Sequence, residues 1–567
     1  METENRHKES TASGTPYDKE GGNKMKRNFL VRLASTLAAV VFMSSNLLTA
    51  CAEGDSPEIE RDLTPLRDAV CATMGEDTIV GAACTKDELS RNYIKELIEY
   101  HFNAVTFGNE LKPDALFGYS NGQVPGTHED ELNGKTITVP NMDFSRAEYM
   151  ADIIYDWNQA NPDKQIKIRG HVLVWHSQTP EWFFHVDYDK NKDYVTPDEM
   201  SERLEWYIRE VLTHFTGEGS KYKGMFYGWD VVNEAISDGT NSYRTDTENP
   251  NESLLKDTHG SNSSWWHVYQ SNRFIIDAFT FANKYAPADL ELYYNDYNDI
   301  VLSKALGIVK LIEAVKEAPG TRIDGMGMQG HYSSTDLNGS KFEIAAKNYL
   351  KTGVKIMITE WDYKAADSYD PSNEESLVTE YTRQGHRYED IYKVLQDLQS
   401  KGYDIGGFTF WGTIDKFSWL QSRSDVGGGS STGYTQCPLL FDDDCKAKPA
   451  YWAFVDSSRI NDMQVAYKEK AKAAAAEENK EDTSASTEEL SETSDTNTSE
   501  TSVSETTVSD ENKNTAPSDE AVSEDNKGKK RTTGGIIATC AVIALLVLGG
   551  SLLTQKFREK KDIKKND

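Results

Sequence analysis

Between residues 65 and 460 the chain alternates short apolar runs with longer stretches of mixed polarity. Eight of the short runs have strand length and are rich in β-branched and aromatic residues: Ile79–Ala83, Ala104–Phe107, Ile166–Leu173, Phe226–Val232, Leu290–Tyr294, Ile323–Met328, Lys355–Thr359 and Ile405–Phe410. Helical patterns lie among them, at Arg146–Trp157, Met200–Phe215, Trp266–Tyr285, Lys304–Lys316 and Glu380–Gln399. Alternating strands and helices predict parallel β-α units. Eight such units predict an α/β domain closed as a (β/α)8 TIM barrel. The segment Gly118 to Val139, rich in Gly, Asn and acidic residues, reads as an enlarged loop after the second strand, too short for a domain.

The residues that follow each strand add chemistry to this outline. Asn109 and Lys112 come after the second strand, and His171, Trp175 and His176 end the third. Asn233 and Glu234 end the fourth, and Asn295, Asp296 and Tyr297 the fifth. Gln329 and His331 end the sixth, Glu360 and Asp362 the seventh, and Trp411 the eighth. Barrel active sites gather at the C-terminal ends of the strands, so these side chains are expected to converge. Any one of them has an ordinary explanation: a Trp is usually core, and a chain with 92 acidic residues places some glutamates after strands by chance. Chance does not explain the same enrichment at seven strand ends. Glu234 and Glu360, carried on two rigid strands, suit glycosidic-bond hydrolysis, in which one carboxyl is acid and base while the other attacks the sugar.

Composition divides the 567 residues by eye. Met25-Lys26-Arg27 precedes the apolar stretch Phe29 to Leu48, the layout of a secretory signal, so residues 1–52 read as leader and signal peptide. Leu48-Thr49-Ala50-Cys51 has the form of a lipoprotein box, with lipid on Cys51, and Ala50-Cys51-Ala52 equally that of an ordinary cleavage site. A short linker (53–64) leads to the catalytic domain (65–462). Residues 463–531 lose their aromatics to Ser, Thr, Glu, Asp and Asn, and are expected to form a disordered acidic stalk. Within 532–555, Gly534 to Leu553 carries no charge over the length of a membrane-crossing helix, and the basic tail 556–567 places the C-terminus in the cytoplasm. The catalytic part is therefore expected on the outer face of the cell membrane, as a monomer. A net charge of −31 argues against a nucleic-acid partner and leaves a neutral polysaccharide unaffected. Of the six cysteines, Cys71 with Cys84 and Cys437 with Cys445 are two local pairs, read as structural disulfides or free thiols.

Six motifs, in order along residues 65–460, resemble glycoside hydrolase family 10, the retaining endo-β-1,4-xylanases. They are Gly-Asn-Glu-Leu-Lys-Pro (108–113), Arg-Gly-His-Val-Leu-Val-Trp-His-Ser-Gln-Thr-Pro-Glu-Trp (169–182), Trp-Asp-Val-Val-Asn-Glu-Ala (229–235), Gln-Gly-His-Tyr (329–332), Ile-Thr-Glu-Trp-Asp (358–362) and Phe-Trp-Gly-Thr-Ile-Asp (410–415). The resemblance implies that Glu234 is the acid/base, Glu360 the nucleophile, and xylan or xylo-oligosaccharide the substrate. Asn233 would bond the sugar 2-hydroxyl. Asn109, Lys112, His171, Trp175 and Gln329 would line the glycone subsites, Trp411 and Trp419 would wall the cleaved residue, Tyr297 would stack on the leaving-side sugar, and Gln178 would bond near the same centre. Chemistry gives the pair the same roles. Glu360 must be ionised to attack, with His331 and Asp362 to hold it, and its charge is expected to raise the pKa of Glu234. Two positions depart from the family pattern: Gly108 stands where many members carry Glu, which puts one distal glycone hydrogen bond in question, and Trp361 replaces a commoner Leu, a change expected to concern packing.

Three other readings are weaker. A barrel glucanase would share both glutamates, but the motifs around His171, Gln329 and Trp411 favour xylan. A non-catalytic xylan receptor would need neither acid nor nucleophile. A metallohydrolase using His171, His176 and His331 lacks the ligand spacing of H-E-x-x-H, and no cofactor or metal is expected.

Overall fold

The computed structural model describes residues 56–119, 122–254, 260–336, 339–422 and 436–488. Eight parallel strands close on themselves: β1 Ile79–Cys84, β2 Ala104–Phe107, β5 Lys167–Trp175, β6 Phe226–Asn233, β7 Glu291–Asp296, β8 Gly325–Met328, β10 Lys355–Lys364 and β11 Ile405–Phe410. Each pairs with the next in that order, and β11 returns to both β10 and β1. The expected barrel is the one observed. A further short strand, β9 His331–Ser333, continues beyond β8 and pairs with the far end of β10.

Most of the strand residues are buried, because helices cover the barrel and side chains fill it. Inside, Tyr293 lies against the Arg169 guanidinium at 4.2 Å. Gly325 makes room for it, since a Cβ there would stand 2.1 Å from the ring. Outside, Trp361 is fully buried and stacks on Phe410 at 5.8 Å, beside Tyr388 and Phe454. The Trp at the departing position is therefore a packing residue, turned away from the cleft.

The helices form where period and caps agree. The helix α1, Pro197–Thr216, starts at Thr196, whose hydroxyl accepts from the Glu199 N–H; Pro197 opens it and Asp198 and Glu199 fill its first turn. The pattern at Trp266–Tyr285 is two helices, Ser264–Tyr269 and Arg273–Tyr285, broken at Gln270 with φ 50°. The supposed loop after β2 holds an antiparallel hairpin, β3 Thr127–Leu132 and β4 Lys135–Pro140. Its turn is Asn133-Gly134 at φ 52° and 78°, the left-handed pair that suits a two-residue hairpin.

The two cysteine pairs are not bonded; all four are free thiols. The Cys71 sulfur lies near the Thr78 carbonyl, just before β1, whereas Cys84 ends β1, about 20 Å further along an extended strand. Cys437 and Cys445 lie on opposite sides of the Phe441–Ala447 bridge, Cys445 in the turn and the Cys437 sulfur accepting from Gln384 at 3.5 Å. The start of the expected stalk is also corrected. A helix runs from Asp462 to Glu488, built on Lys, Glu and a run of Ala, all strong helix formers. Among the described residues no helix is long and apolar enough to cross a membrane. The signal peptide, Cys51, most of the stalk, the segment 532–555 and the tail lie outside the described residues.

Candidate active site

Three strands carry the central residues, and each breaks its register just where they occur. Pairing shifts between His171 and Val174 in β5, between Asp230 and Val232 in β6, and between Ile358 and Trp361 in β10. Such irregularities re-aim side chains at the rim of a barrel. Glu360 and Asp362 consequently sit within β10 rather than after its end. Glu234 is the first residue beyond β6 and adopts φ 55°, a conformation disfavoured for a residue with a Cβ. Its N–H donates to the Asn295 carbonyl at 2.9 Å, and its own carbonyl accepts from Arg244 Nε at 2.8 Å.

All fourteen residues expected to act or bind line one open cleft of about 1610 Å³ at the C-terminal ends of the strands. The carboxyls are linked through amides. Gln329 Nε2 donates to Glu234 Oε1 at 3.0 Å and lies 3.2 Å from Asn233 Oδ1. Asn295 Nδ2 donates to that same Asn233 oxygen at 2.9 Å and to Glu360 Oε1 at 2.8 Å. Asn295 is a bridging residue that strand-end reading noted but gave no role; the signal was its place opposite Asn233 on the neighbouring strand. Arg244, which also reaches the Tyr297 hydroxyl at 3.3 Å, was missed altogether, because it lies in irregular chain with no period to place it.

Around Glu360, His331 sits between two carboxylates, with Nε2 3.1 Å from Glu360 Oε2 and Nδ1 2.9 Å from Asp362 Oδ1. Trp419 Nε1 donates to the other Asp362 oxygen at 2.7 Å. Burial works against a charged His331, but Asp362 and Glu360 outweigh it and raise its pKa to about 10, so the ring is an imidazolium at neutral pH. Burial likewise pushes Glu360 up. The His331 hydrogen bond, the histidine charges and the Asn295 amide overcome this and hold the carboxyl below its ordinary range.

Glu234 has the reverse balance. Burial, the largest cause, pushes its carboxyl up; the Gln329 bond resists, the Asp296 carboxylate adds to the rise, and Trp175 Nε1, donating at 2.9 Å, again resists. Burial and Asp296, rather than the expected charge of Glu360, are the principal causes of the raised value. Asp296 is itself buried, accepting from the Tyr294 hydroxyl and paired with Lys304 at 2.9 Å. The His176 ring nitrogen lies 3.9 Å from Glu234 Oε2.

The flanks are tied down by the same logic. Lys112 donates to Asn109 Oδ1 at 3.0 Å and lies over the Trp175 ring at 5.2 Å. His171 pairs with Asp230 at 2.9 Å, and Arg169 braces that carboxylate from below through Nε at 3.1 Å. Trp411 stands edge-on to His171 at 5.4 Å, and Trp419 tilts over His331 at 4.9 Å. Tyr297 has the Lys304 ammonium 3.7 Å from its ring centre. Gln178 turns its amide to Asp114 at 3.2 Å, so at rest it braces the cleft wall. Gly108 lines the cleft, and a Cβ there would meet its nearest atoms at 3.6 Å, ordinary contact.

The site therefore holds one carboxyl pushed above its ordinary range and one held below it, in a cleft with aromatic walls and amide donors, an arrangement suited to acid-assisted displacement at an acetal carbon. Known proteins agree. A profile described as Glycosyl hydrolase family 10 matches residues 69–457. Endo-1,4-beta-xylanase Y of Acetivibrio thermocellus is 32% identical over 382 residues, which cover 66% of this chain and 30% of that protein. This chain thus spans less than a third of that relative's length. A GH10 structure from Paenibacillus barcinonensis superposes with TM-score 0.54 at 29% identity, covering 69% of this chain and 98% of that one. The N-terminal modules of a Clostridium thermocellum endo-1,4-beta-D-xylanase, complexed with xylohexaose, superpose with TM-score 0.55 at 27% identity, covering 71% and 68% of the two chains. On the profile match, the chain belongs to glycosyl hydrolase family 10.

Proposed function

We propose that this chain is an endo-1,4-β-xylanase that hydrolyses xylan with retention of configuration. The observation that carries this reading is the split between the two carboxyls, Glu234 raised by burial and Glu360 lowered by its partners. Glu234 donates a proton to the leaving oxygen while Glu360 attacks the anomeric carbon and forms a glycosyl-enzyme; water, deprotonated by Glu234, then releases the sugar. Asn233, held by Asn295 and Gln329, is placed for the sugar 2-hydroxyl. Relatives named endo-1,4-β-xylanases and a neighbour complexed with xylohexaose support xylan as the substrate class. The test compares purified wild-type, Glu234→Ala and Glu360→Ala proteins on xylan and on carboxymethylcellulose. Release of xylo-oligosaccharides by the wild type alone supports the reading, whereas faster attack on carboxymethylcellulose would favour the glucanase alternative.

Residues 1–52 and 532–567 support a second element of the proposal, that the enzyme works at the outer face of the cell membrane, exported by its leader, which ends either in an ordinary cleavage or in a lipid-bearing Cys51, and held by its C-terminal apolar segment. Protease treatment of intact cells tests this: loss of xylanase activity is expected, and full protection would contradict it. Mass analysis of the mature N-terminus decides whether Cys51 carries lipid.

A further inference from the structure

Seven large hydrophobic side chains are exposed among the described residues, and three of them, Val301, Leu302 and Leu306, fall within six positions. The other four are scattered singly along the chain. The cluster occupies the connection after β7 and the first turns of the helix Leu302–Glu317, where Leu302 and Leu306 share one face. It is continuous with the catalytic cleft, whose lining runs from Tyr297 and Asn298 to Ile300, Val301 and Leu302. Polar groups nearby are already committed. Lys304 is buried between Asp238 at 2.8 Å and Asp296 at 2.9 Å, and Asn298 donates to Asp238 at 3.2 Å. In the segment Ile300–Leu306 this leaves Ser303 as the exposed polar side chain.

We infer that Ile300, Val301, Leu302 and Leu306 form an accessory binding site for an aromatic acyl group, such as a hydroxycinnamoyl ester, borne on a branch of the polysaccharide at the leaving side of the cleft. An unbranched xylosyl residue presents its 2- and 3-hydroxyls at its edge, and beyond Ser303 this strip offers them almost no partner. A phenolic ring gains by contact with aliphatic side chains and asks for few hydrogen bonds. Exposed apolar clusters beside a binding cleft mark such contacts, whereas single exposed residues do not. The inference rests on the xylanase reading, because Tyr297 marks the leaving side only in that reading.

The test uses the full chain and one feruloylated arabinoxylo-oligosaccharide, assayed before and after alkaline removal of its ester. The variants are Leu302→Gln alone and Val301→Ser/Leu302→Gln/Leu306→Gln together; all three positions are surface sites, so the fold is expected to survive. The wild type is expected to show a kcat/KM several-fold higher on the esterified substrate, expressed mainly in KM. The triple variant is expected to lose that preference, by about fivefold to tenfold from loss of the apolar contact area, so that its kcat/KM values on the esterified and de-esterified substrates become equal. An unchanged preference in the variants would overturn the inference, and is the result expected if the strip serves a protein or lipid surface. Equal losses on both substrates would overturn it too, by assigning the strip to the sugar backbone. If the wild type cleaves neither substrate, it is the xylanase reading that fails.

Discussion

The ends of β6 and β10 carry the same chemical group in opposite electrical settings. At the end of β6, Glu234 meets neutral donors, Trp175 and Gln329, with the Asp296 carboxylate behind it. On β10, Glu360 meets a protonated His331 and the Asn295 amide. Glu360 is buried and Glu234 largely so, and burial pushes both carboxyls up; their partners separate them. A single cleft thereby moves the two carboxyls in opposite directions from their ordinary range, the separation that suits one as proton donor and the other as anion in double displacement at a sugar.

Removing either carboxyl is the severest way to break this asymmetry. Glu360→Ala and Glu234→Ala are each expected to lower kcat on xylan by about 10³-fold or more. They are expected to part company on an aryl xylobioside whose leaving group needs no proton. There Glu234→Ala keeps a burst of aryl release, and Glu360→Ala gives none. Identical behaviour of the two variants on that substrate would erase the distinction drawn between them.

The next largest effect is expected at His331. His331→Asn removes the cation that holds Glu360 low, so the acidic limb of kcat/KM moves to higher pH and activity falls by about 10- to 100-fold. The same group links pH to stability. Its folded pKa, about 10, lies above the unfolded value near 6.5, so its stabilisation is complete below that value and is lost as pH rises towards the folded one. The wild-type Tm should therefore fall across this window more steeply than that of His331→Asn, as calorimetry at a series of pH values would show.

A smaller change sharpens the other side. In Asp296→Asn the charge that helps raise Glu234 is gone, and the basic limb of the profile is expected to shift to lower pH while the acidic limb stays in place. Movement of both limbs would mean that Asp296 acts on the whole site rather than on Glu234. The smallest effect is expected at Gly108→Ala, where a methyl group meets its neighbours at ordinary distances. Its kcat/KM on xylohexaose should stay within about twofold of wild type.

Much of this was legible in the chain because barrel strands are short, mostly buried and carry their functional residues in their last positions or just beyond. Strand-end chemistry pointed to twelve of the fourteen expected residues, the family resemblance added Gln178 and Trp419, and all fourteen line one cleft. What escaped was set by tertiary contact or by local turn chemistry. Asn295 became a bridge only when β7 came to lie beside β6, and Arg244 comes from irregular chain that no periodicity marks. The β3–β4 hairpin was hidden by its charged strands, although Asn133-Gly134 announced the turn. Short sequence separation suggested disulfides, yet strand geometry carries Cys84 far from Cys71. The lowering of Glu360 depends on His331 and Asn295 converging from two other strand ends.

The direct test of the central claim is covalent trapping. Incubation with a 2-deoxy-2-fluoro xylobioside bearing a good leaving group slows release of the glycosyl-enzyme, and peptide mass analysis then locates the sugar. One equivalent on Glu360, with none on Glu234, is the predicted result. A sugar attached to Glu234, or turnover with no attachment at either carboxyl, would contradict the account.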